Sequence, residues 1–253
     1  MDLNLVQLRP DLAALFRFAH ARGLPDHDPG YLLHRALRDA FGGAAPQPFR
    51  LLEPPAAPPR LLGYGPAGEA ALRDAVALAE PDLDRIFPPG EIASKPMPQR
   101  FAAGTTLGFE VRLCPLVRGK TEEGRLREQD AFLHRAQASP DEPLARETVY
   151  AAWLKDKLAA GGALLEEARM TRFSLAPLVR RSHASPGGRT NTPEGTARRL
   201  LAREGGAARR PDAVLAGRLR IDDPGTFQAL LARGVGRHRA FGFGMLLLRR
   251  ADG

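Results

Sequence analysis

The sequence predicts an α+β chain built from two ferredoxin-like (RRM-like) units in tandem. Two observations predict it. Each half reads roughly as strand, helix, strand, strand, helix, strand. A stretch bearing Pro and Gly, Pro96 to Gly104, separates the halves, which sets an N-terminal unit at 1–98 and a C-terminal unit at 104–253. The halves share an order of elements without a residue-level repeat.

In the first half, Leu3, Leu5, Val6 and Leu8 read as a strand that ends before Pro10. Asp11 to Ala21 reads as a helix with Leu12, Leu15, Phe16 and Ala19 on one side and Gly23 as its stop. Asp28 is a good N-cap and Pro29 suits the first helical position, so a second helix runs from there to about Phe41 and stops at Gly42-Gly43. Phe49 to Glu53 and Arg60 to Tyr64 are candidate strands, joined by a Pro-rich segment that no central strand tolerates. Gly68 to Leu78 is an amphipathic helix, and Ile86 to Pro98, with four prolines, reads as an edge strand followed by a linker.

The second half opens on Thr105 to Val117, where Leu107, Phe109, Val111 and Leu113 alternate with Glu110 and Arg112 as in a half-buried strand. A charged stretch follows, Arg118 to Asp130. Glu147 to Leu158 is a helix stopped by Gly161-Gly162. Leu164 to Val179 is strand-like and interrupted by Pro177, and Ala213 to Ile221 is a strand. Asp223-Pro224 starts a helix that stops at Gly234, and Met245 to Leu248 form the last strand.

Charge narrows the function. The 253 residues carry a net +8 with 43% hydrophobic content. Between Arg169 and Arg220 twelve arginines face three acids, a local +9 that accounts for the whole basic excess. Within it, His183 to Gly195 is rich in Ser, Gly, Thr, Asn and Pro and reads as a mobile loop. Such a segment suits a nucleic-acid backbone, with a solvated basic loop as the plain alternative. The single Cys114 excludes an intramolecular disulfide and a cysteine-cluster metal site. No apolar run reaches the length of a membrane span and no signal-peptide layout opens the chain, so a cytoplasmic setting is expected.

Two stretches carry candidate chemistry. The first is the tail, Gly234 to Arg250, in which glycines alternate with arginines before an apolar run. Two readings stand: a loop pressed against phosphate, or a turn before a core strand. The second is the helix starting at Asp28. Tyr31, His34, Arg35 and Arg38 fall at i, i+3, i+4 and i+7 and share one face. A titratable His beside a Tyr and two permanent cations can cleave a phosphodiester: His moves the proton and Arg stabilises the phosphorane. RNA brings its own nucleophile, the 2′-hydroxyl, so this chemistry needs no metal and no cofactor. A solvated His on a polar helix face is the plain alternative.

The tail motif, Asp223-Pro224, Phe227, Leu231 to Gly236 and Arg239-Ala-Phe-Gly-Phe-Gly244, resembles the C-terminal signature of the CasE-type CRISPR repeat-processing endoribonucleases of the RAMP superfamily. Gly108 to Pro115, Arg127-Glu128-Gln129-Asp130, Trp153-Leu154 and Tyr31-Leu32-Leu33-His34 match the family at further points. The resemblance implies tandem ferredoxin-like domains and metal-independent cleavage at a repeat hairpin with a cyclic phosphate product. It also implies retention of the guide RNA among the other subunits of an effector complex. Carried over, His34 is the acid–base group with Tyr31 and Arg38 beside it. The expected RNA contacts are Arg35, Arg172, Arg180, Arg181, Arg189, Gly234, Gly236, Arg237, His238, Arg239, Gly242 and Gly244. The tail would place the hairpin while cleavage occurs at His34, on the far side of the chain. The helix 11–21 and the long loop 186–210 depart from the family and suit a divergent relative, such as a type IV processing subunit, in which Arg35 or Arg38 takes the duty. A non-catalytic hairpin-binding scaffold is the alternative function. Binding of single-stranded RNA by stacking is disfavoured, because aromatics are only 6% of the chain.

Overall fold

The computed structural model describes residues 3–25, 28–120, 126–140, 143–177 and 209–251. The first half runs β1 (Asn4–Leu8), α1 (Leu12–Ala21), α2 (Pro29–Phe41), β2 (Phe49–Leu52), β3 (Arg60–Gly65), α3 (Glu69–Ala77), α4 (Pro81–Ile86) and β4 (Ile92–Pro96). Its four strands form an antiparallel sheet in the order β2-β3-β1-β4. The second half runs β5 (Thr106–Leu113), β6 (Leu116–Lys120), β7 (Leu126–Asp130), α5 (Ala131–Ala138), α6 (Arg146–Ala159), β8 (Ala163–Pro177), β9 (Arg209–Ile221), α7 (Pro224–Arg233) and β10 (Leu246–Arg249). Its main sheet is β10-β5-β9-β8, again antiparallel, and β6 and β7 form a separate hairpin-like pair. Both main sheets set the fourth strand beside the first and the third between first and second, the ferredoxin-like arrangement expected twice over.

Local chemistry explains the helices that position the site. The Asp11 carboxylate accepts from the Ala14 amide and opens α1. The Asp28 carboxylate accepts from the Tyr31 amide at 3.1 Å and Pro29 takes the first turn of α2. Leu32, Leu33, Ala36, Leu37, Ala40 and Phe41 of α2 are buried against one face of the first sheet with Val6, Leu8 and Leu61. The opposite face of that sheet presents Leu5, Leu62 and Tyr64 to the core of the second half, among Phe109, Leu215, Trp153 and Leu246.

The two halves are therefore joined by buried contacts as well as by the chain. The Tyr64 hydroxyl donates to the Leu246 carbonyl at 2.9 Å. Glu110 on β5 sits between two guanidiniums, Arg50 of β2 at 2.6 Å and Arg249 of β10 at 2.7 Å. Burial pulls Arg50 below its usual pKa, and Glu110 opposes that shift.

Two expectations change. The strand expected at 105–117 breaks at Cys114-Pro115, because proline cannot donate to a ladder; β5 ends at Leu113 and β6 belongs to another sheet. The charged stretch 118–130 contains β7, and Asp130 closes it as a structural residue. Its carboxylate accepts from the Phe132 amide, from Arg146 at 2.7 Å and from the Tyr150 hydroxyl. The loop expected at 183–195 lies outside the described residues.

Candidate acid–base and nucleic-acid site

Helix α2 exposes one narrow polar face. Tyr31 and His34 are half-buried there, and Arg35 and Arg38 are exposed. Arg35 donates to Asp39 one turn on, at 3.0 Å. His34 sits below the ordinary value of 6.5, chiefly through burial and then through the charges of Arg38 and Arg35, with Asp39 opposing them. At neutral pH its imidazole is uncharged and able to take a proton.

The tail folds back on itself to meet this face. The Val235 amide donates to the Gly244 carbonyl at 2.8 Å, and the Gly244 amide donates to the Arg112 carbonyl on β5 at 2.7 Å. These bonds close residues 235–244 into a loop whose tip is a single 3₁₀ turn, Arg239–Phe241. Gly244 has φ +77°, and a Cβ there would stand 2.3 Å from the Val235 carbonyl oxygen, so only glycine fits. Gly234, Gly236 and Gly242 also have positive φ, and His238 is left-handed at φ 59°. The alternation of glycines thus has a conformational reason independent of any ligand.

Phe241 at the tip is the point of contact. The His34 ring meets it edge-on, with centroids 5.4 Å apart and planes at 80°. Tyr31 lies at 6.3 Å and His238 at 6.2 Å from the same ring. Gly30 allows this approach, because a Cβ there would be 2.4 Å from the Phe241 carbonyl oxygen. The expected separation between tail and His34 is therefore corrected: more than 200 residues apart in sequence, they share one shelf.

The arginines divide by partner. Arg239 donates to the Arg233 carbonyl at 2.7 Å and so caps the end of α7. Arg237 is ion-paired with Glu128. Arg112 grips the buried Asp212 with two bonds of 2.8 Å and lies over the Phe243 ring at 4.3 Å. Arg172 reaches the same carboxylate only at 3.4 Å, and 56% of its side chain is exposed. Arg180, Arg181 and Arg189 lie outside the described residues. Phe241, Arg112 and Asp212 were missed as site residues. The Phe-Gly-Phe-Gly pattern pointed to the first, whereas the Arg112–Asp212 pair joins positions with no local signal.

A family model described as CRISPR associated protein matches residues 5–250. The chain belongs to that family. No curated protein sequence matches it significantly. Among solved structures, one of the CRISPR endoribonuclease Cse3 bound to a 19-nucleotide RNA has a TM-score of 0.64 at 20% identity, over 98% of this chain and 100% of that one. Thermus thermophilus Cse3 bound to an RNA representing a pre-cleavage complex has a TM-score of 0.61 at 21% identity, over 98% and 99%. Cas6e from Escherichia coli K-12 has a TM-score of 0.52 at 18% identity, over 99% and 100%. This CRISPR-associated chain is thus similar along its whole length to these enzymes, with which it shares its fold. Among the described residues no helix is long and apolar enough to cross a membrane.

Proposed function

We propose that this protein is a metal-independent endoribonuclease that cleaves CRISPR precursor RNA at the repeat hairpin and stays bound to the guide RNA in an effector complex. The observation that carries the reading is the meeting of His34 with the Phe241 tip of the tail loop, which puts an uncharged imidazole on a shelf walled by both halves of the chain. The similar structures, an endoribonuclease bound to RNA and a CRISPR RNA-guided surveillance complex, support the substrate and the partners. In this reading the chain divides within 96–104, with His34 in the N-terminal unit, 1–98, and the tail loop in the C-terminal unit, 104–253.

In this mechanism the neutral His34 imidazole accepts the proton of the 2′-hydroxyl at the cleavage point. The freed oxygen attacks the adjacent phosphorus, the bond to the 5′-oxygen breaks, that oxygen takes a proton from solvent to leave as a 5′-hydroxyl, and a 2′,3′-cyclic phosphate remains. Arg38, and Arg35 where Asp39 releases it, face the charge that develops on the phosphorane. Tyr31 orients the imidazole from one turn away. Gly234, Gly236, His238, Gly242 and Gly244 shape the loop against the hairpin, Arg180, Arg181 and Arg189 hold its backbone, Arg172 contacts the RNA beside the loop, and Arg237 and Arg239 stiffen the loop through their protein partners.

The test is incubation with a cognate CRISPR repeat RNA. His34→Ala is expected to lower the cleavage rate by about 10²- to 10⁴-fold, the usual contribution of a positioned acid–base group. Hairpin affinity should fall much less, and EDTA should have no effect. Undiminished cleavage by this variant refutes the role of His34. Tight repeat binding without any cyclic phosphate refutes catalysis altogether and leaves a hairpin-binding scaffold.

A further inference from the structure

Beside the shelf lies a cleft of about 210 Å³ to which His34 does not contribute. Its walls are Phe49 of β2 with Phe241 and Phe243 of the tail loop, and its polar groups include Arg112, Arg172 and Glu53. We propose that this cleft is a base-reading pocket for a single unpaired guanine next to the scissile phosphate. The proposal rests on the endoribonuclease reading for the position of that phosphate.

Size and lining select the ligand class. The cleft is smaller than the roughly 300–1,000 Å³ that drug-sized ligands occupy, and it suits one planar ring system. The partly exposed Phe241 ring offers stacking to a base, while the buried Phe49 and Phe243 back the cleft as fixed apolar walls. A phosphate is a poor occupant, because Asp28 and Glu53 place carboxylates in the lining. The two guanidiniums have different duties. Arg112 has its fork taken up by Asp212 and its plane held on Phe243, which makes it a fixed wall. Asp212 is already neutralised by that pair, so the half-exposed Arg172, at 3.4 Å, keeps donors for a ligand.

The polar pattern then selects the base. Arg172 supplies donors and Glu53 supplies an acceptor, and Glu53 has no ion-pair partner among the described residues. Guanine combines the O6 and N7 acceptors that an arginine fork reads with an N2 amino donor that a carboxylate reads. Adenine lacks the paired acceptors, and the pyrimidines cover the single Phe241 ring less. Because Phe241 borders both the cleft and His34, a base seated here belongs to a nucleotide flanking the bond that His34 addresses.

The experiment uses the full chain and repeat-hairpin RNA with a 2′-deoxy sugar at the cleavage position, so that binding is read apart from chemistry. Each of the four bases is placed at each of the two nucleotides flanking that position. Guanine at one of them should bind about tenfold tighter than the other three bases, the scale of one well-made base contact. Glu53→Gln and Arg172→Ala should each bring the guanine RNA down to the affinity of the adenine RNA. Affinities within about twofold for all bases at both positions overturn the pocket, as does a preference that survives both substitutions. A flat base series with normal cleavage of all-ribose RNA removes the pocket alone. A guanine preference without cleavage removes the endoribonuclease reading alone, and no RNA binding at all overturns both.

Discussion

Replacing Gly30 by alanine sets two known effects against each other at the junction of α2 and the tail loop. Alanine stabilises a helix interior by about 1 kcal/mol over glycine, and by less at the second helical position where Gly30 sits. Against that, the new Cβ would stand 2.4 Å from the Phe241 carbonyl oxygen and 3.0 Å from its carbon. Both are backbone atoms, held by the Phe241 amide bond to the His238 carbonyl and by the loop closure at Gly244. Forced overpacking of this kind costs about 1–3 kcal/mol. The clash wins, and the net loss is about 1–2 kcal/mol, or about 2–4 °C in Tm per kcal/mol for a chain of this size. Urea denaturation measures the loss, and repeat-RNA cleavage should fall with it as Phe241 moves off His34. Gly43→Ala is the control, because a Cβ there meets nothing within 4 Å. A Gly30→Ala protein as stable as the parent, with cleavage intact, refutes the claim that this close approach builds the shelf.

The cleavage rate should follow the neutral form of His34. With its pKa depressed, that form persists as pH falls below 6.5, so the acid limb of single-turnover cleavage should have its midpoint below 6.5. Arg38→Gln removes a depressing charge and should move that midpoint up; a shift downward contradicts the assignment. Arg112→Ala leaves the buried Asp212 with only its long contacts to Arg172 and the Ser174 hydroxyl among the described residues, and should destabilise the fold by about 3 kcal/mol in chemical denaturation. Tyr64→Phe leaves the Leu246 carbonyl without its donor and should lower stability by about 1–3 kcal/mol.

Much of the fold was legible because local chemistry marks it. Asp28 and Pro29 announce the start of α2, Gly42 its end, and the alternation from Leu107 to Leu113 marks β5. Helices α4 and α5 were not read, because six and eight residues give too few turns for a periodic pattern to stand out. The site was legible in its parts only. Tyr31, His34 and Arg38 share a face by spacing alone, but nothing in a stretch of sequence says which distant ring will lie against them. The arginines of the tail taught the same lesson in reverse. Nothing local to Arg239 says that one of its five donors goes to the last carbonyl of α7.

The shelf also has an order of assembly in time. His34 leaves the ribosome about 200 residues before Phe241, which at roughly 5–20 residues per second is on the order of ten to forty seconds. Through that interval the acid–base helix exists without the loop that walls it, so a nascent or truncated chain carries the imidazole but not the seat for the RNA. On the proposed reading, cutting is reserved for molecules whose last strand, β10, has already paired with β5.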